Sequence, residues 1–146
     1  MIRFSKKVEY ALIALLYMSN KDSQSLTTAR ELAVAFNLSQ DLIGKILQRL
    51  AKGEYITSVQ GVKGGYRLNR SLDRINVNEI LALLDGPIRI VNCMETGADS
   101  DCDQLHVCDL RPTMGVIQKK LEQFFDTLTM KDLKDELREF DQKLWV

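Results

Sequence analysis

Ser39-Gln40-Asp41-Leu42-Ile43-Gly44-Lys45-Ile46-Leu47-Gln48-Arg49-Leu50-Ala51-Lys52-Gly53, continued by Glu54-Tyr55-Ile56-Thr57-Ser58-Val59-Gln60-Gly61-Val62-Lys63-Gly64-Gly65-Tyr66-Arg67-Leu68, decides the fold of this chain. Ser39 is a helix N-cap, and Leu42, Ile43, Ile46, Leu47 and Leu50 then recur at helical spacing as one apolar stripe. Gly53 ends the helix. Tyr55 to Gln60 is rich in β-formers, Gly61 to Gly65 is a turn, and Tyr66-Arg67-Leu68 returns as a strand, so a hairpin follows the helix directly.

Upstream of this run, Ser5 opens a helix with Val8, Ala11, Leu12, Leu15 and Leu16 on one face, running to about Ser19. Thr27 or Thr28 caps a short second helix, with Glu31 three residues after Thr28 as in a capping box and Leu32, Ala33 and Phe36 facing inward. Asn37-Leu38 makes the turn into the Ser39 helix. The order predicts a helix-turn-helix with a β-hairpin wing, a mainly α fold. In such a motif the second helix of the pair lies in the major groove of DNA and reads base edges near its N-terminus. Ser39, Gln40, Gly44 and Lys45 are therefore the candidate reading residues, with Thr28, Gln48 and Arg49 beside them. Gly44 costs helix propensity but permits close backbone approach. In the wing, Lys63 and Arg67 suit phosphates or a minor groove.

Charge agrees with a polyanionic partner for this half. The chain of 146 residues has no formal net charge, yet residues 1–70 hold 11 Lys/Arg against 5 Asp/Glu, and residues 71–146 hold 9 against 15. An enzyme has little to build on, with a single His, no G-x-S-x-G and no phosphate-cradling loop. The N-terminus lacks the pattern of a secretory signal and no run of about 18 apolar residues exists, so a cytoplasmic protein is expected.

The acidic half carries the other concentrated signal. All three cysteines, Cys93, Cys102 and Cys108, fall within sixteen residues that also hold the only histidine, His106. Cytoplasmic thiols stay reduced and an odd count argues against a closed disulfide framework, so the loop is read as a metal, cofactor or redox site. Past it, Pro112 suits a first helical turn, and Met114, Ile117, Leu121, Phe124 and Leu128 recur in alternating steps of three and four as an a/d seam. That seam serves either a second subunit or the core of its own. Thr129 caps a last charged helix through Lys131, Leu133, Leu137 and Phe140. The chain divides into a winged helix-turn-helix at 1–84, a cysteine-rich loop at 85–111 and a dimerisation helix plus C-terminal helix at 112–146.

Phe4-Ser5-Lys6-Lys7-Val8-Glu9-Tyr10-Ala11-Leu12, Ala29-Arg30-Glu31-Leu32-Ala33, Leu38-Ser39 with Lys45-Ile46-Leu47, and above all Gly61-Val62-Lys63-Gly64-Gly65-Tyr66-Arg67-Leu68 give the chain a family likeness. It resembles the winged-helix transcription regulators that include the iron-sulfur cluster regulator IscR and the nitric-oxide-sensing repressor NsrR. The lead-in Ile90-Val91-Asn92-Cys93 is most similar to the NsrR-like, cluster-binding branch. The resemblance implies a homodimer with a long helix crossing to its partner, binding a palindromic double-stranded operator, acting as a repressor and sensing iron, nitric oxide or redox state. It implies an iron-sulfur cluster on Cys93, Cys102 and Cys108, with 4Fe-4S preferred to 2Fe-2S. The fourth ligand it implies is Glu9 of the partner subunit, ahead of His106. In the IscR branch a ligand histidine follows the last cysteine by three, where this chain has Arg111.

Alternatives stand beside these expectations. The eight-residue gap between Cys93 and Cys102 is longer than in the best-known members, which leaves cluster type open. Three Cys and one His suit structural zinc, although the tight C-x2-C knuckles of zinc sites are missing. Clusterless thiol oxidation is the third reading of the loop. Glu9 also fits an exposed helix carboxylate paired with Lys6 or with a nearby Arg.

Overall fold

The computed structural model describes residues 3–94, 102–104 and 106–140; the middle of the acidic loop, 95–101, and the chain from 141 onward lie outside them. The elements are α1 (Lys6–Ser19), α2 (Ala29–Phe36), α3 (Gln40–Lys52), β1 (Ile56–Val59), β2 (Gly65–Leu68), α4 (Val77–Asp85), α5 (Arg111–Thr127) and α6 (Met130–Phe140), with single 3-10 turns at Leu72–Arg74 and Asn92–Met94. No helix among the described residues is long and apolar enough to cross a membrane.

Local chemistry places the first three helices. Ser5 accepts from the Val8 N–H, Thr28 from Glu31 at 3.0 Å and Ser39 from Leu42 at 3.3 Å, so each side chain satisfies an orphan donor of the helix it opens. Asn37, at φ 51° and ψ 51°, takes the left-handed conformation that turns the chain from α2 into α3. The Thr28 N–H reaches back to the Glu31 carboxylate, as the capping box expects. That carboxylate also accepts from Lys21 Nζ and, at 2.7 Å, from Tyr17 Oη, which ties the start of α2 to the end of α1.

Leu15, Leu32, Ile43, Leu47, Leu50, Ile75, Ile80 and Met130 are fully enclosed and form the centre of one core. In α1 the inner row also holds Ala14 and Met18, while Leu12 and Leu16, expected inside, are half-buried. Phe36, also expected inside, is 41% exposed because α2 has only 8 residues and its last one lies at the rim, edge-on to Tyr17.

The wing is an antiparallel pair in which Ile56 faces Leu68 and Val59 faces Gly65. Thr27 adds a bridge to Tyr66 through two 2.8 Å hydrogen bonds, so the hairpin is fastened to the residue just before the N-cap of α2. At the tip a Cβ on Gly64 would overlap the Val59 carbonyl oxygen, which leaves glycine alone able to make that turn.

The C-terminal helices share this core. Val77 N–H donates to Leu128 O and Met130 N–H to Ile75 O, both at 2.9 Å, and α6 packs along α1. Thr129 caps α6, as its sequence predicts, and Asp132 reaches back to the Thr129 N–H to complete the cap. The expected seam of α5 splits in two. Gln118, Leu121 and Phe125 face inward, while Ile117 and Phe124, both seam positions, are 46% and 59% exposed together with Val116. Leu121 and Phe125 pack on the core, and Gln118 on the same side meets backbone polar groups of the segment after α4, which its amide satisfies.

Candidate nucleic-acid interface and cysteine segment

α3 buries Ile43, Ile46, Leu47 and Leu50, and helical geometry then turns Gln40, Lys45 and Gln48 outward. With Ala29, Asp41 and Gly44 these line an open groove at the N-terminal side of α3. Ala29 had no signal in the sequence beyond its place at the start of α2. A Cβ on Gly44 would meet Ala29 Cβ at an ordinary 4.0 Å, so helix packing does not demand glycine at this position. Lys45 pairs with Asp41 at 2.8 Å, and both side chains are largely in solvent, where such a pair is weak and easily exchanged for a phosphate. Thr28 and Ser39 are exposed and hold their helix starts.

Arg49 is placed differently from the other candidates. Its guanidinium donates to Leu83 O at 2.6 Å and Leu84 O at 3.2 Å, meeting two of the last carbonyls of α4, where a cation also opposes the negative end of the helix dipole. In the wing, Lys63 stands exposed at the tip beside fully exposed Val62, while Arg67 is half-buried and donates to Gln24 Oε1 at 3.2 Å.

The electrostatics of this body centre on Glu31. Burial works against its charge, but hydrogen bonds from Lys21 and Tyr17 outweigh that and hold its carboxyl below the ordinary glutamate value. The same contact, first through the hydrogen bond and then through burial, pushes the Tyr17 phenol up.

Cys93 lies in the 3-10 turn, and Cys102 and Cys108 flank the exposed His106. All three thiols are free and half-buried. They are donors of the kind that iron-sulfur clusters take. Among the described residues, no three Cys, His, Asp or Glu side chains stand together as a metal site. Glu9 pairs with Lys6 at 2.6 Å, as its sequence position allows, and lines an open hollow at the start of α1 with Arg3, Ser5 and Lys7.

A helix-turn-helix with a basic, glycine-built wing defines a DNA-binding transcription regulator. Residues 4–136 match the Rrf2 family, described as iron-dependent transcriptional regulators, and the chain belongs to that family; it is not an enzyme. Among curated relatives, the HTH-type transcriptional regulator NsrR of Bacillus licheniformis is 25% identical over 134 residues, 92% of this chain and 91% of that protein. An rrf2-like regulator of Rhodobacter capsulatus is 28% identical, covering 88% and 90%. Among solved structures, CymR (YrzC), the global cysteine regulator of B. subtilis, aligns with a TM-score of 0.72 at 24% identity over 93% of this chain and 98% of its own. T. potens IscR aligns with a TM-score of 0.68 at 19% identity over 99% and 93%, a likeness of fold.

Proposed function

We propose that the protein is a cytoplasmic, homodimeric repressor that binds a palindromic operator and senses iron, nitric oxide or redox state through an iron-sulfur cluster on Cys93, Cys102 and Cys108. The observation that carries the DNA reading is the outward set Gln40, Gly44, Lys45 and Gln48 on α3, with Lys63 at the tip of a wing that only glycine can form. Thr28 and Ser39 position that set, and Arg67 adds charge to the wing. Arg49 is left out of the contact set because α4 occupies it.

Ile117, Phe124 and Val116 form an exposed apolar row on a 17-residue helix, which suits pairing with the same helix of a second copy. Two-fold pairing would space two α3 helices for half-sites about one DNA turn apart or a multiple of it. Residues 1–84 then act as the reading unit, 85–111 as the sensing segment and 112–146 as the assembly unit.

The three free thiols would supply thiolate ligands, and Glu9 of the partner subunit, ahead of His106, would supply the weaker fourth. A cluster held in that way, 4Fe-4S or 2Fe-2S, contributes a centre whose integrity responds to iron supply, nitric oxide and oxidants. The same free thiols favour one second reading, a clusterless thiol switch.

The test is anaerobic purification with visible absorption and iron and acid-labile sulfide counts per subunit, repeated after nitric oxide and after air. Coloured protein with equal iron and sulfide is expected. Colourless protein that resists reconstitution would overturn the cluster and move the reading to the thiol switch.

A further inference from the structure

Gln118 is a buried polar side chain in the middle of α5, 8% exposed. Its Oε1 accepts from the Ile90 N–H at 3.0 Å, while Nε2 donates to Ile88 O and, at 2.7 Å, to Glu122 Oε1. Both amide hydrogens are used, and the side chain does for residues 88–90 what a neighbouring β-strand would do. The stretch it holds leaves α4 at Gly86, whose φ of 88° suits glycine, and runs without regular structure to the 3-10 turn that contains Cys93. Ile88 packs against the core. A cavity of about 270 Å³ nevertheless lies between this stretch and Phe4, Leu81 and Phe125, so close packing secures the strap only in part.

We propose that Gln118 is the positioning residue for Cys93: its two-point grip on Ile88 and Ile90 latches the strap to α5 and holds the thiol three residues further on in a fixed, half-shielded place. The inference rests on the reading of Cys93 as a working thiol and does not require any particular ligand on it. Glu122 belongs to the latch, because its carboxylate takes the second Nε2 hydrogen and thereby fixes which end of the amide faces Ile90. Neither partner of the latch is recognisable from its own neighbourhood in sequence, since the contacts span 28 and 30 residues.

The experiment uses the full-length chain without iron, carrying Cys102→Ser and Cys108→Ser so that Cys93 is the lone thiol. Its rate of alkylation by N-ethylmaleimide is followed by mass spectrometry with and without Gln118→Met, which keeps length and apolar volume but removes the grip. Release of the strap is expected to speed alkylation about tenfold, with Glu122→Gln giving a smaller rise and Gln123→Met, on the exposed side of α5, giving none. An unchanged rate in folded Gln118→Met protein would overturn the proposal. A rise of equal size from Gln123→Met would overturn it as well, by showing general loosening of α5. Should Gln118→Met fail to fold, hydrogen exchange of the wild-type chain decides: the Ile90 amide is expected to exchange at least about tenfold more slowly than an open-chain amide, and an unprotected Ile90 would overturn the latch. Failure of the cluster reading shows separately, as colourless protein, and leaves the alkylation result standing.

Discussion

Between Ser5 and Leu68, three side-chain-capped helices and a glycine-locked hairpin enclose residues with no solvent exposure; between Gly86 and Arg111, the described residues offer one 3-10 turn and a strap gripped by a single amide. The helix-turn-helix body derives its shape from packing, while the cysteine segment derives its place largely from a few polar contacts made at long range. The difference suits a regulator. A packed body keeps the geometry of α3 against the wing constant, and on the proposed function the cysteine segment would be the part that responds to chemistry at its thiols.

The largest expected contrast is in stability. Leu47→Ala, at a fully enclosed position, should cost about 2–5 kcal/mol in urea unfolding, whereas Cys102→Ala should stay within about 0.5 kcal/mol of wild type. A Cys102→Ala cost as large as that of Leu47 would erase the distinction between the regions.

Arg49 and Lys63 sharpen it next. Arg49→Ala should destabilise by about 1 kcal/mol, since a charged hydrogen-bond pair at the partly solvated end of α4 is lost, and should leave the salt dependence of DNA binding unchanged. Lys63→Ala should leave unfolding unchanged and lower the slope of log affinity against log salt by about one. Titrations of a fluorescent duplex at several salt concentrations measure both. A lower slope for Arg49→Ala would return that residue to the DNA face.

Gly44→Ala sets stability against function within one residue. The methyl has room, so the helix should gain up to about 1 kcal/mol, while DNA affinity falls because the backbone no longer approaches closely. Unchanged affinity would mean that α3 reads DNA without close contact at Gly44.

The smallest effect is in pH. Glu31 is depressed in the folded state, so its contribution is present in full above the ordinary glutamate range and is lost as pH falls through that range and below. Lys21→Met should flatten this acid loss, slightly and less at high salt, in thermal melts across that window. Identical acid profiles would show that the α1–α2 tie contributes nothing.

What the chain revealed in advance follows the same division. Ser39, Gly53 and the Gly61–Gly65 turn act on their immediate neighbours, so local pattern suffices to find them. The outward set of α3 was legible for the same reason, because the apolar stripe determines its complement. Arg49 is exposed like its neighbours and differs only in its partners, which lie 34 and 35 residues away, and only the fold brings α4 to it. Gln118 was hidden beside an a/d pattern that is real but offset, because a buried polar group is recognised only once its partners are known. The cysteines were conspicuous by composition, and their concentration in one segment needed no fold to be seen.

The most direct test of the link between the two regions is the operator affinity of cluster-loaded and cluster-free protein, measured anaerobically on one duplex, for wild type and for Cys102→Ala. At least about a tenfold difference between the two wild-type states is expected, a coupling of ordinary size, which disappears in Cys102→Ala. Equal affinities in both wild-type states, or an undiminished difference in Cys102→Ala, would contradict it.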